Sequence, residues 1–242
     1  MNRFYQPDIA TTLTLCEDES HHAVKVLRLA EGDDIEVVDG KGNLYRCRIT
    51  LAHAKRCRVD IVETIDAPNH WHHPTVIAVA PAKHLDRNEW MLEKCVEMGI
   101  DRFVPLLCHN SERTAIKTER LEKIAVAAMK QSLKAVMPDI APITPLRQLI
   151  AQPFDGQRFI AYCDPALPRD RRLALAEAYR PGNPVMVLIG PEGDFSPEEV
   201  ETAIQAGFIP VTLGHSRLRT ETAAVMACAT IHTIDQFRRN DA

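Results

Sequence analysis

The pattern of apolar and polar positions changes rhythm once along the chain, near residues 66–74. Before that point, short runs at Asp34 to Val38, Leu44 to Leu51 and Cys57 to Ile65 are separated by turn residues, which predicts strands. Gly40 and Gly42 in Asp39-Gly-Lys-Gly-Asn43 let the chain reverse between the first two runs. Tyr45, Cys47 and Ile49 alternate with Arg46 and Arg48, so the two sets point to opposite faces. A small barrel or folded sheet is expected. The segment His70-Trp-His-His-Pro74, after Asp66-Ala-Pro-Asn, reads as a polar linker.

Beyond it the rhythm is α/β. Thr75 to Ala80 predicts a strand, Asp86 to Met98 a helix ending at Gly99, and Arg102 to Leu107 a strand. Leu121, Ile124, Ala125, Ala128 and Met129 share one face of a helix from about Thr118 to Ala135. Strands follow at Arg158 to Cys163 and Val185 to Ile189. Ser196-Pro-Glu-Glu199 supplies an N-cap, a first-turn proline and a glutamate at the third helical position, for a helix ending near Gly207. A strand from Phe208 to Leu213 and a last helix from about Glu221 to Phe237 complete the chain. Two of these strands end in glycine turns, Gly190-Pro-Glu-Gly193 and Leu213-Gly214. They are expected side by side at adjacent strand ends, where open α/β sheets bind small molecules.

Composition narrows this picture without redirecting it. Hydrophobic residues at 45% and charged residues at 26% are globular values, and the apolar runs are too short to cross a bilayer. No apolar stretch follows Met1-Asn-Arg-Phe-Tyr5, and seven cysteines form no C-x-x-C pair, so a cytoplasmic chain with reduced thiols is expected. Net charge is −4. Lys and Arg number 9 against 12 Asp and Glu up to Asp66, and 20 against 21 after it, so any nucleic-acid contact must be local.

The chemistry-bearing residues concentrate around the two turns. Gly190 to Gly193 bares backbone amides, but no Lys-Ser/Thr follows as in a P-loop and no G-x-G-x-x-G occurs at a strand end. Arg217, Arg219 and Glu221 crowd the start of the last helix; the helix dipole accounts for the acid and not for the arginines, which points to substrate contact. Thr220 is either a helix cap or a ligand contact. Lys83, Arg87 and Lys94 follow the first strand of the second half, where Glu89, Glu93 and Glu97 share a helical face and need partners such as Lys94, Arg102 or Arg113. Lys25 and Arg28, beside His21 and His22, and the cluster Arg46, Arg48, Lys55, Arg56 and Arg58 are candidate RNA contacts of the first half. His70, His72 and His73 have no cysteine or carboxylate at ligand spacing, so no metal is expected.

With those residues in view, the chain resembles the bacterial 16S ribosomal RNA (uracil-N3) methyltransferases, a branch of the SPOUT class. The resemblance spans the chain. It rests on Met1-Asn-Arg-Phe-Tyr5, Ser20-His-His-Ala-Val-Lys-Val-Leu-Arg28, Lys83 with Arg87, Glu93-Lys94 and Glu97-Met-Gly-Ile100, Lys130-Gln-Ser-Leu-Lys134 with Pro138, and the two C-terminal motifs. It implies a PUA-like RNA-binding β-barrel over residues 1–68 and an α/β methyltransferase domain over 69–242, with a trefoil knot at about 185–235. It also implies S-adenosylmethionine as cofactor, a homodimer, and 16S ribosomal RNA of the small subunit as partner. Carried over by position, Tyr162, Cys163, Ile189, Gly190, Pro191, Glu192, Gly193, Leu213, Gly214, Leu218 and Thr220 become cofactor contacts. Arg219 and Glu221 become catalytic, and Lys25, Arg28, Arg46, Arg48, Lys83, Arg87, Lys94 and Arg217 become RNA contacts. The chain departs from the family pattern at Asp194, at Ser216 and at Lys130 and Lys134. Methylation at another RNA position, or a non-catalytic RNA-binding assembly factor, are the alternative readings.

Overall fold

A computed structural model describes residues 2–71, 73–162 and 172–238, the last without its side chain. Packing divides the chain into two compact units, Met1–His70 with Val126–Met137, and Trp71–Ala125 with Pro138–Ala242.

The first unit holds β1 (Arg3–Tyr5), α1 (Ile9–Thr12), α2 (Glu17–His21), a π-helical turn at His22–Val26, β2 (Asp34–Val38), β3 (Asn43–Leu51) and β4 (Arg58–Asp66). Its sheet runs β1-β2-β3-β4, with β1 parallel to β2 and the other pairs antiparallel. Tyr45, Cys47 and Ile49 face a core shared with Phe4, Ile35 and Val59, while Arg46 and Arg48 are exposed, as the alternation predicts. At the β2–β3 turn, Gly40 and Gly42 take φ of +77° and +98°, and a side chain at Gly40 would lie 3.0 Å from the Tyr5 ring. Asp39 stitches this turn. Its carboxylate accepts from the Lys41 amide (2.8 Å) and from the Asn43 amide (3.2 Å) and side chain (2.7 Å).

Lys130, one of the departures from the family pattern, forms a 2.5 Å ion pair with the buried Glu19 of the same unit. A cation is needed there, because a buried carboxylate without a partner is costly.

The second unit holds β5 (Thr75–Val79), α3 (Leu85–Met98), β6 (Arg102–Leu107), β7 (Asp139–Ile140), β8 (Thr144–Pro145), α5 (Leu146–Ile150), β9 (Gln157–Ala161), α6 (Leu175–Ala178), β10 (Val185–Ile189), α7 (Pro197–Gln205), β11 (Ile209–Val211) and α8 (Thr220–Arg238); α4 (Thr118–Gln131) begins in it and ends in the first unit. Its parallel sheet runs β11-β9-β10-β5-β6-β7, with β8 also on β6. β5 and β10 are buried along their whole length, which is why they read as unbroken apolar runs. β10 enters the sheet between β5 and β9, both earlier in the chain. α8 then packs on α3, β5 and β10.

The expected linker is only partly a surface segment: His70 and Pro74 are exposed. Trp71 and His73 are buried at 6% exposure each, while His72 lies outside the described residues. The Trp71 ring fills the space beside Gly99, where an added Cβ would lie 2.6 Å from it, and its indole donates to Asp101 at 2.8 Å. His73 Nε2 meets Asp235 on α8 at 2.8 Å, and Tyr179 donates to the same carboxylate at 2.9 Å. Burial and this carboxylate push the Tyr179 hydroxyl well above its usual range. His73 is buried here because each polar atom of the trio but its Nδ1 has a partner.

Candidate functional site

The first glycine turn is held from three sides. Ser196 accepts from the Glu199 amide at 3.2 Å and Glu199 accepts from the Ser196 amide at 2.9 Å, so α7 starts where the capping pattern predicts. Asn110 donates to the carbonyls of Gly193 (3.2 Å) and Asp194 (3.0 Å), and Glu192 accepts from the Lys83 amide at 3.0 Å. Asp194 occupies the left-handed region at φ +62°, a conformation that aspartate adopts more readily than most side chains. Its carboxylate accepts from the Phe195 amide at 2.8 Å. Desolvation raises the Asp194 carboxyl above its ordinary value; the Phe195 amide and the Arg217 charge pull it back without cancelling the rise.

The second turn follows β11. Gly214 takes φ +130°, and Thr212 donates to its carbonyl at 2.8 Å. α8 begins at Thr220, and the Ala223 amide bonds to the Arg219 carbonyl. Thr220 is therefore inside the helix rather than its cap, and its buried hydroxyl donates to Gly190 O at 3.3 Å. That bond ties one turn to the helix that follows the other. The turns do not end the adjacent strands that the sequence predicts: β9 lies between β10 and β11, and its last residue, Ala161, lines the space between them.

Together they enclose a cavity of about 710 Å³. Ile189, Gly190, Pro191, Glu192, Leu213, Gly214, Leu218 and Thr220 line it, as do Arg87, Arg217 and Arg219. Tyr162 and Gly193 do not; Tyr162 packs on the core and Gly193 stands against Asn110. Cys163 lies outside the described residues. Sequence reasoning missed Arg172, Thr212 and His215, which also line the cavity, as do two of the departures from the family pattern, Asp194 and Ser216. The run Leu213 to Thr220 is continuous in the wall, a signal visible in the length of the loop between strand and helix. Among the described residues, none accepts from the amides of Gly190, Glu192, Leu213 or Leu218.

Glu221 is buried and absent from the wall; its Oε1 stands 3.7 Å from Nη1 of Arg87, rather than against Arg219. Neighbours two apart at a helix start do not face each other, so Glu221 does not pair with Arg219. Of the other cations singled out, Arg46 pairs with Glu63 at 2.7 Å, Arg48 with Asp34 at 2.9 Å, Lys83 with Glu112 at 2.9 Å, and Lys94 with Glu93 and Glu97 at 2.7 and 3.0 Å. Arg102 and Arg113 answer other partners, Asp139 and the carbonyls of Ala82 and Lys83. Among the described residues no carboxylate pairs with Lys25, Arg28 or Arg219. No three described His, Cys, Asp or Glu residues are grouped to hold a metal ion, and no described helix is long and apolar enough to cross a membrane.

Fold and site define an open α/β ligand-binding domain, with its cavity at the carboxyl ends of parallel strands and a small β unit in the same chain. A family model described as an RNA methyltransferase domain matches residues 69–232, and one described as an RNA methyltransferase PUA domain matches residues 15–62. Ribosomal RNA small subunit methyltransferase E of Synechocystis is 30% identical over 93% of this chain and 74% of its own length. Among solved structures, a probable rRNA methyltransferase from Porphyromonas gingivalis superimposes with a TM-score of 0.93 at 45% identity, covering 99% of this chain and 100% of the other. Ribosomal RNA small subunit methyltransferase E of Neisseria gonorrhoeae, bound to S-adenosyl methionine, does so at 0.86 and 28%, covering 97% and 98%. The chain belongs to this RNA methyltransferase family.

Proposed function

We propose that this protein methylates N3 of a specific uridine in 16S ribosomal RNA of the small ribosomal subunit, using S-adenosylmethionine, as a cytoplasmic homodimer. One observation carries the reading: a cavity walled by two glycine turns, whose backbone amides are unclaimed among the described residues, and by four arginines. Its volume of about 710 Å³ falls within the roughly 300–1,000 Å³ of small-molecule sites. The donor set fits the cofactor, since the amides of Gly190, Leu213 and Leu218 suit its polar groups and the side chains of Ile189, Leu213 and Leu218 offer apolar surface. When bound, S-adenosylmethionine supplies an electrophilic methyl on a sulfonium, which departs as a neutral thioether and needs no acid.

This chain's work is then positioning and charge stabilisation. N3 of uracil must lose its proton to offer a lone pair, so negative charge develops on the ring. Arg219, in the wall and free of any described carboxylate, stabilises that charge. N3 lies on the pairing edge, so the uridine enters unpaired or flipped out. Lys25 and Arg28 of the first unit take RNA phosphates. The insertion of β10 between β5 and β9, with α8 returning on both central strands, supports threading of residues 185–235 as a trefoil knot. Exposed Trp90 on α3 and Met226 on the helix packed against it support pairing of two copies through these helices.

Primer extension on 16S ribosomal RNA tests the reading, because N3-methyluridine blocks base pairing. Purified small subunits lacking the modification should acquire a stop at one uridine on incubation with protein and cofactor. Absence of any new stop, or a stop at another base, overturns it.

A further inference from the structure

Glu221 is the acid that the site offers nearest its arginines, yet it is not placed to meet a substrate. Its side chain is 9% exposed and off the cavity wall, while Arg87, 32% exposed, stands on the wall with Nη1 3.7 Å from the carboxylate. A general base must reach the proton it removes at roughly 2.6–3.2 Å, directly or through one water. We propose that Glu221 is not a base but a positioning residue for Arg87, and that Arg87 is a catalytic residue that joins Arg219 in stabilising the uracil anion.

The inference rests on the uridine-N3 reading and adds to it. When N3 loses its proton to solvent water and its lone pair forms the new bond to carbon, charge spreads in the transition state over the two carbonyl oxygens that flank N3. A single cation serves one side of the ring. Two guanidinium groups from different elements serve both, with Arg87 in the first turn of α3 and Arg219 immediately before α8. Both helix N-termini border the cavity, and their dipoles add positive potential where the anion forms.

The carboxylates on the wall are otherwise engaged: Glu192 accepts from the Lys83 amide and Asp194 from the Phe195 amide. Arg217 is near enough to Asp194 for its charge to lower the carboxyl's proton affinity, though the two form no ion pair. Buried Glu221, 3.7 Å from the guanidinium and so within ion-pair distance though beyond hydrogen-bond length, draws Arg87 toward its side of the wall.

Single-turnover methylation of small subunits, calorimetric titration with S-adenosylmethionine and thermal melting of Arg87→Met, Arg87→Lys, Glu221→Gln and the Arg87→Met/Glu221→Gln double variant test this assignment. Arg87→Met should slow methyl transfer about 100-fold with cofactor affinity and melting little changed, the loss typical of removing one charge-stabilising donor. Arg87→Lys should recover part of that rate. Glu221→Gln should slow transfer about tenfold, and the double variant should match Arg87→Met, because a residue acting through another adds nothing once its partner is gone. A larger loss for Glu221→Gln than for Arg87→Met, multiplying losses in the double variant, or parallel loss of cofactor affinity and rate would overturn the assignment. If wild-type protein forms no N3-methyluridine, the uridine reading itself falls and takes this assignment with it.

Discussion

Two groups of arginines in this molecule look alike in sequence and differ in what surrounds them. Arg46 and Arg48 on β3 sit in the densest basic cluster of the first unit, yet each lies across from a carboxylate on a neighbouring strand, Glu63 and Asp34. Arg217 and Arg219 sit in a loop beside a cavity, and neither has a paired carboxylate within ion-pair distance among the described residues. A cross-strand partner neutralises a cation before any polyanion arrives. Density of positive charge along a sequence therefore says less about RNA contact than the pairing of each charge.

The largest expected effect on binding breaks the cavity side of this comparison. An added side chain at Gly190 meets the Phe195 ring at 3.0 Å, and Gly190→Val should lower S-adenosylmethionine affinity at least tenfold by calorimetry, because backbone close to a ligand tolerates no branch. Loss of RNA affinity with intact cofactor binding would reverse the assigned roles.

Next in size is a stability effect in the first unit. Burial pushes the Asp39 carboxyl up, but the bonds from Asn43, Lys41 and Tyr45 outweigh it and hold the group below its usual value. Its contribution is therefore present above the ordinary carboxylate pKa of about 3.9 and is lost as pH falls through the lower folded value. Asp39→Ala should cost about 2 kcal/mol at neutral pH in denaturant titrations, and less in acid.

The smallest effects sharpen the comparison. Arg28→Gln should weaken RNA binding and reduce its salt slope by about one, the signature of a lost phosphate contact. Arg46→Gln or Arg48→Gln should leave RNA affinity within about twofold and stability within about 1 kcal/mol, since exposed pairs contribute little. Equal losses at Arg28 and Arg46 in filter binding would remove the distinction between paired and unpaired cations.

How much of this was legible in the sequence follows the range of each interaction. The hairpin at Asp39 to Asn43 and the capping box at Ser196 are set by neighbours and read directly. Helix bounds shift by a few residues, with α4 ending at Gln131 rather than Ala135 because the next residues turn through Leu133 at φ +58°. The strand expected over Arg158 to Cys163 ends at Ala161 in the described residues. The long-range facts were not legible. Nothing local places β9 between the two turns, buries Trp71 against Gly99, or brings Arg87 of α3 to Glu221 of α8. The two glycine turns that line the cavity were legible because turn chemistry is local, and their partners were not because pairing is long-range.

The division of labour between turns and arginines is tested most directly by Arg219→Ala, measured for cofactor affinity by calorimetry and for single-turnover methyl transfer on small subunits. Transfer should fall about 100- to 1,000-fold, the range for removing one donor to a developing anion, while affinity for S-adenosylmethionine stays within about threefold. Equal loss of both, or a wild-type rate, would contradict the account.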